Sequence, residues 1–364
     1  MNVLNLGAGG FIGSHLTRRL LTEGHHVTGI DIHSDKIEDC QPHPCFTYQE
    51  LDISKSDSEL NELIKKSDLV IDLIAHANPG IYVRKPLDVF SLNFVENLKI
   101  AEACVEFGKR LIQFSSCEVY GKTVGSIQPE MLKNPDSPVL AIFSEDTTPF
   151  ILGPVNKHRW IYSCAKQLLE RVLHAYGLEH KLNYTIIRPF NFIGPEIDYL
   201  PTEGEGIPRV FSYFMEALLN GTAMKLVGGG HHKRCYTYID DAINCILKIV
   251  ENSDNICDRE IFNIGTPGNE ISIRGLALLM QELYVKVFGL SPQDLKPVED
   301  ISAEEFYGAG YDDSDRRIPD ISKAQNLLGW HPQYDVRQTL ELSMQYYLKQ
   351  SGHLPLIRHG IPGK

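Results

Sequence analysis

The sequence predicts an α/β chain, a doubly wound parallel sheet with a smaller interleaved α/β lobe. Three observations lead there. A short apolar strand, Val3 to Leu6, runs into a glycine-rich turn and then a helical pattern, the opening of a βα unit. Brief continuous apolar runs then alternate with helical stretches as far as residue 190, and such runs mark strands buried on both faces. Beyond residue 191 the pattern loosens into loops, a basic stretch and late strands. We expect residues 1–190 to form the main unit. Residues 191–350 should supply mainly a second lobe, interleaved with late elements of the first, and 351–364 a tail.

In the first turn, Gly7, Gly10 and Gly13 permit a tight bend, close approach of backbone to a pyrophosphate, and close packing of helix on strand. Phe11 and Ile12 lie between those glycines, and the helical pattern from Ser14 to Thr22 would turn its positive end toward the phosphates. A strand from His26 to Ile30 ends at Asp31, placed to accept from a ribose 2′-hydroxyl and to repel a 2′-phosphate. The first unit therefore reads as a Rossmann-type site for NAD in preference to NADP. The next strand, Tyr48 to Asp52, brings Asp52 and Ile53 to the adenine side. A helix from Leu60 to Lys66 and a buried strand from Leu69 to Ile74 follow. That strand opens into a loop with His76, read as a hydrogen-bonded loop histidine, Ala77 and Tyr82. Phe90 to Gly108 reads as one amphipathic helix and Arg110 to Phe114 as the next strand.

The chemistry gathers after that strand. Ser116 and Glu118 lie at its end, where a hydroxyl and a carboxylate can serve a reacting oxygen and an adjacent carbon. Tyr162 and Lys166 are four residues apart, on one face of a helix expected to run to about Tyr176. A phenol of pKa about 10 is a poor base at neutral pH, and a lysine ammonium nearby pulls it toward the working range. The strand from Tyr184 leads to Asn191, aimed at the same crevice. Thr202 to Gly206 reads as a loop and Arg209 to Leu219 as a helix. Lys225 to Arg234, with Lys233, is the most basic stretch and suggests a diphosphate contact. A helix starts near Tyr238, a late strand spans Ile261 to Gly265, Arg316 and Arg317 follow Tyr311, and the remainder is helical.

Composition narrows the classes. The 364 residues can bury a full core, and 43% apolar with 23% charged residues is ordinary for a globular protein. A formal net charge of −12 argues against nucleic acid as a partner. The eight cysteines form no Cys-x-x-Cys pair, so reduced thiols are expected and no metal site. No signal-peptide pattern or membrane-length apolar run is present, which makes a cytoplasmic chain the expectation.

The glycine turn, Asp31, Ser116, Tyr162-x-x-x-Lys166 and Arg188-Pro189-x-Asn191 together resemble the extended short-chain dehydrogenase/reductases that act on nucleotide sugars. Ser116-x-Glu118-Val119-Tyr120-Gly121, the run Gly153 to Ser163, Arg188 to Asn191 and Lys233-Arg234-Cys235-x-Thr237 are similar to UDP-glucuronate decarboxylases. These include the decarboxylase domain of the bifunctional polymyxin-resistance protein and the UDP-xylose synthases. The chain opens on the dinucleotide strand, so the formyltransferase half of that bifunctional protein is not expected. The resemblance implies NAD held by Gly7, Gly10, Gly13, Asp31, Asp52 and Ile53. It implies a UDP-sugar contacting Ala77, Tyr82, Ser116, Cys117, Arg159, Asn191, Arg209, Lys225 through Arg234, and Tyr311. Catalytic roles fall on Tyr162, Lys166 and Ser116, with Glu118 and Arg317 as proton acceptor and donor in a decarboxylation, and a homodimer or higher homo-oligomer is implied. Cys117 departs from the family pattern of serine or aspartate, and a thiol is the weaker hydrogen-bond partner. An epimerase or dehydratase on the same scaffold stays open as the alternative, and beyond it a non-catalytic NAD-binding scaffold.

Overall fold

The computed structural model describes residues 1–124, 141–200, 209–309 and 311–352. Its centre is one sheet of seven strands: β1 (Asn2–Leu6), β2 (His26–Asp31), β3 (Phe46–Glu50), β4 (Leu69–Asp72), β5 (Arg110–Phe114), β6 (Tyr184–Pro189) and β7 (Glu260–Ile264). They lie in the order β7-β6-β5-β4-β1-β2-β3, every neighbouring pair parallel. The chain direction across the sheet reverses between β1 and β4, and ligands collect at the strand ends over such a switch.

Alternation along the strands feeds two cores. Val3, Leu69, Ile71 and Ile112 pack with Leu16 and Leu20 of α1 (Phe11–Thr22) and with the helix Ile239–Glu251. Leu4, Leu6, Val70 and Leu111 point the other way, onto Leu60 and Ile64 of α2 (Asp57–Lys66), Ile100 of α3 (Asn97–Glu106), and Leu169 and Leu173 of α4 (Ile161–Glu179). The doubly wound prediction holds because the inner strands β1, β4 and β5 are buried on both sides. A second sheet joins Glu270–Ser272, Lys233–Cys235, Arg316–Pro319 and Ile142–Phe143. Early residues 142–143 thus pair with late ones, while β7 returns to the main sheet from the far end of the chain.

Several expected boundaries move. The strand placed at Tyr48–Asp52 is Phe46–Glu50, the run to Ile74 stops at Asp72, and α1 starts at Phe11, three residues before Ser14. The helix expected over Phe90–Gly108 begins earlier, at Pro86–Phe90, widens into a π-helical stretch at Ser91–Glu96, and regains α geometry at Asn97–Glu106. The loop expected at Thr202–Gly206, and most of the expected tail, lie outside the described residues.

Candidate active site

The glycine turn is shaped by exclusion. Gly7 has φ +87°, and a Cβ on Gly13 would collide with the Gly7 carbonyl oxygen. Gly10, at the N-cap of α1, supplies no side-chain cap, so the first helical N–H groups stay available to an anion. Asp31 ends β2 and helps to build the turn: its Oδ2 accepts from Gly9 N at 2.9 Å and its Oδ1 from Ile32 N at 2.8 Å. A cradle that side chains would fill, an uncapped helix start and an acid at the second strand's end fit a dinucleotide. Beyond β3, Asp52 accepts from Ser54 and pairs with Lys55 at 2.6 Å, while Ile53 is buried.

A cleft of about 360 Å³ runs from Phe11 and Ile12 across the strand ends to Arg234 and Arg317. At its middle Tyr162 is the second residue of α4, entered through a tight turn at His158–Trp160. The Tyr162 ring stacks on Tyr82, centroids 4.4 Å apart and planes 7° from parallel. Burial pushes the Tyr162 phenol above its ordinary value, opposed by hydrogen bonds with Ser116 and Tyr82. The lowering expected from Lys166 is not among the main influences on the phenol in this structure. One turn on, Lys166 Nζ donates to Phe114 O at 2.9 Å and to Asn97 Oδ1 at 3.3 Å, and burial draws its pKa down to about 8. Ser116 Oγ accepts from Glu118 N at 3.1 Å, which caps the turn Cys117–Tyr120 and fixes Glu118 toward the cleft.

Opposite lies a buried charge cluster. Arg159 reaches Glu118 at 2.8 Å and Asp313 at 3.3 Å. Arg317 reaches Glu118 at 3.0 Å and Asp313 at 2.5 Å, and Arg234 reaches Asp313 at 2.9 Å. Burial alone would raise both carboxyls. The guanidiniums of Arg159 and Arg317 hold Glu118 below its usual range, and with Arg234 they hold Asp313 far below. Tyr311 donates to Asp313 at 3.0 Å and stacks on Tyr307. The Cys117 thiol, pushed up by burial, lies 4.0 Å from Arg317 Nη1.

Most of the residues singled out from the sequence meet here: Ala77, Tyr82, Asn191, Arg209 and Lys225 also line the cleft. Arg209 is held by Asp198 at 2.9 Å, and Asn191 donates to Cys235 O at 3.2 Å. The basic stretch is less free than expected. Arg234 is committed to Asp313, His232 lies 3.4 Å from Asp315, and Lys233 alternates away from the cleft wall. His76 is tied through its backbone to Asn93 and stays off the wall. Asp313 and Asn97 were missed. Asp313 had a signal, an acid three residues before Arg316-Arg317, whereas Asn97 lies unmarked within the helix read over Phe90 to Gly108.

The model of the NAD dependent epimerase/dehydratase family matches residues 3–265. UDP-D-apiose/UDP-D-xylose synthase of Oryza sativa subsp. japonica is 44% identical, covering 96% of this chain and 89% of that protein. UDP-D-apiose/UDP-D-xylose synthase 1 of Arabidopsis thaliana is 43% identical, covering 95% and 91%. Among solved structures, the PbgP3 protein from Burkholderia pseudomallei superposes with a TM-score of 0.82 at 36% identity, covering 97% of each chain. With the glycine turn, Asp31 and the Tyr162–Lys166 pair on one crevice, the chain belongs to the NAD dependent epimerase/dehydratase family.

Proposed function

We propose that this NAD-dependent nucleotide-sugar enzyme oxidises UDP-glucuronate at C4 and releases its C6 carboxylate as carbon dioxide, giving a UDP-4-keto-pentose, or UDP-xylose when the hydride is returned to C4. The observation that carries this reading is the charge cluster facing the Tyr162–Lys166 pair. Three guanidiniums meet two carboxylates there, and Arg159 Nε and Arg317 Nε are buried without a hydrogen-bond partner. One more carboxylate, that of a sugar acid, balances the charge. Identity to proteins named for UDP-D-apiose and UDP-D-xylose supports a pentose product.

Gly7, Gly10, Gly13 and Asp31 would hold NAD, with Phe11 and Ile12 at the wall, and NAD supplies the hydride acceptor. Tyr162 must act as its phenolate, with the Lys166 ammonium behind it and Ser116 bonded to it, and in that form takes the C4 hydroxyl proton as the C4–H bond gives up its hydride. The C4 ketone is β to the C6 carboxylate. When the C5–C6 bond breaks, its electron pair passes into an enolate on the C4 oxygen, beside the Ser116 and Tyr162 hydroxyls. Arg317 stays charged, since its guanidinium is raised by Glu118 and Asp313, so its part is to hold the carboxylate in place. Glu118, held ionised, has no proton of its own to give C5, and we assign it to orienting the water that protonates C5. We assign Arg209 and Lys225 to the nucleotide end, and Arg234 and Tyr311, both on Asp313, to the wall that takes the sugar. Leu87, Val95 and Leu168 are exposed on the 86–106 helical segment and on α4, and we assign that face to a homodimer. The eight cysteines are all free, as suits the reducing cytoplasm. Among the described residues no helix is long and apolar enough to cross a membrane.

Incubation with NAD and a panel of UDP-sugars tests the reading, following NADH absorbance, carbon dioxide and product mass. Carbon dioxide should come from UDP-glucuronate. Epimerised UDP-hexuronate without carbon dioxide would replace decarboxylation by epimerisation, and turnover of any UDP-sugar excludes a mere scaffold. Tyr162→Phe should lower turnover by about 10²- to 10⁴-fold, the usual worth of a general base.

A further inference from the structure

Beneath the Tyr162–Lys166 pair lies a carboxylate that the reaction above does not use. Asp72 is the last residue of β4 and is fully buried. Alternation sets it on the same face as Val70, the face covered by α3 and α4. Its Oδ2 accepts from Gln113 Nε2 at 2.8 Å and its Oδ1 from Ile74 N at 2.9 Å. Two short paths join it to Lys166. Lys166 Nζ donates to Phe114 O, the carbonyl of the residue after Gln113, and to Asn97 Oδ1. Asn97 Nδ2 in turn donates at 3.3 Å to the carbonyl of Ile74, whose N–H Asp72 holds. Burial raises the Asp72 carboxyl, and the charge of Lys166 is the first influence opposing that rise.

Lys166 feels two acids, Asp72 and Glu170. Glu170 is already engaged by Arg188, which donates to its two oxygens at 3.0 and 2.6 Å. The other groups near Asp72 bring no charge at neutral pH. From α3 come the Cys104 thiol, which burial pushes up, and the Asn97 amide; from α4 comes the Tyr162 phenol, raised by burial. From β5 comes the Gln113 amide, and from β1 the apolar Leu4 and Leu6.

We propose that Asp72 is a positioning residue for Lys166: its carboxylate is the countercharge that keeps Lys166 an ammonium inside the closed site, and so sets the pH range in which Tyr162 can take a proton. This rests on the reading of Tyr162 and Lys166 given above. A lysine enclosed by apolar groups loses its proton unless an anion compensates. A neutral amine would give a Tyr162 phenolate no support. Burial already brings Lys166 to about 8 with Asp72 pushing upward, so removing that push carries its titration into the neutral range.

Asp72→Asn isolates the charge. The amide keeps an oxygen for Ile74 N, and Gln113 Oε1 is buried without a partner, so a flip of the Gln113 amide restores the second hydrogen bond. Carbon dioxide release from UDP-glucuronate by the full chain with NAD, followed from about pH 6 to 10, should show the alkaline limb about one unit lower in Asp72→Asn. The sign follows from the need for a charged Lys166: a lower pKa loses that charge at lower pH. At pH 8 kcat should fall about fivefold with KM unchanged, since Asp72 is not on the cleft wall. Asp72→Glu should restore part of the limb. An unmoved limb with only a lower melting temperature would make Asp72 structural and overturn the proposal. Trace acetylation of Lys166 against pH, read by peptide mass spectrometry without substrate, separates this from the functional reading. If the wild type turns over no UDP-sugar but the Lys166 midpoint still falls in Asp72→Asn, only the functional reading fails; an unchanged midpoint overturns the countercharge.

Discussion

A methyl group on Gly13 would meet the Gly7 carbonyl oxygen and the Cα of Ala8, both backbone atoms that cannot swing aside. Overpacking of that kind costs about 1–3 kcal/mol. Gly13→Ala should therefore weaken NAD binding by roughly tenfold or more, the equivalent of about 1.4 kcal/mol. A calorimetric or fluorescence titration with NAD measures it, and unchanged affinity would show that the turn does not hold the pyrophosphate. Gly13 was legible in the sequence because its constraint is local, a spacing between a strand and a helix. The Tyr162–Lys166 pair was legible for the same reason. Asp72 was not: the run Leu69 to Ile74 reads as one buried apolar strand, with nothing in it to mark Asp72 out. Only the neighbouring strand and α4 turn it into the floor of a site.

The segment from Pro86 to Glu106 shows how an element can be placed correctly and still be misread. Its apolar periodicity gave one amphipathic helix over Phe90 to Gly108, with no part for Asn93 or Asn97. Both are fully buried. The π-helical stretch Ser91–Glu96 adds a wider turn, which lets Asn93 bond the backbone of His76 and Asn97 bond Ile74 O and Lys166. Hydrophobic period cannot report a polar face buried against a loop. A second polar contact ties α4 to the rest of the site. Arg188 on β6 clamps Glu170 of α4 and donates to Tyr120 Oη at 2.7 Å, and Tyr120 follows the Ser116–Glu118 turn. Both ends of the clamp are nearly dry, with Arg188 at 2% and Glu170 at 5% exposure. Removing one partner of such a pair costs about 3–5 kcal/mol, while an apolar pair of similar volume is often neutral. Arg188→Met should thus lower the urea midpoint strongly, and adding Glu170→Leu should recover most of the loss. Equal damage from the single and double variants would mean that the clamp's worth is packing, with no charge left stranded.

Across the whole molecule, the sheet could be read from the sequence but the cleft's second wall could not. Glu118 and Arg317 meet across 199 residues of chain, and Trp160 and Asp312 across 152. No local pattern encodes such a meeting; it follows from β7 and the strand Arg316–Pro319 returning to elements laid down much earlier. The same wall makes the protein's acid response predictable. Glu118 and Asp313 are held by arginines below their ordinary values. A carboxyl that titrates lower when folded than when unfolded stabilises fully above its unfolded value, about 4. That contribution fades as pH falls through the still lower folded values. Asp313→Asn should therefore be much less stable than the wild type at neutral pH, by about 3–5 kcal/mol, because Arg159, Arg234 and Arg317 lose a shared partner. Between neutrality and about pH 5 the gap should hold, since the wild-type carboxylates stay ionised in both states. Below about pH 4 it should narrow, as the wild type's own Asp313 comes under proton competition. Urea unfolding of both proteins across that range reads the gap directly. A gap that closes well above pH 5 would mean that Asp313 titrates normally, so the arginines would not enclose it and the carboxylate-binding wall would not be the closed structure described here.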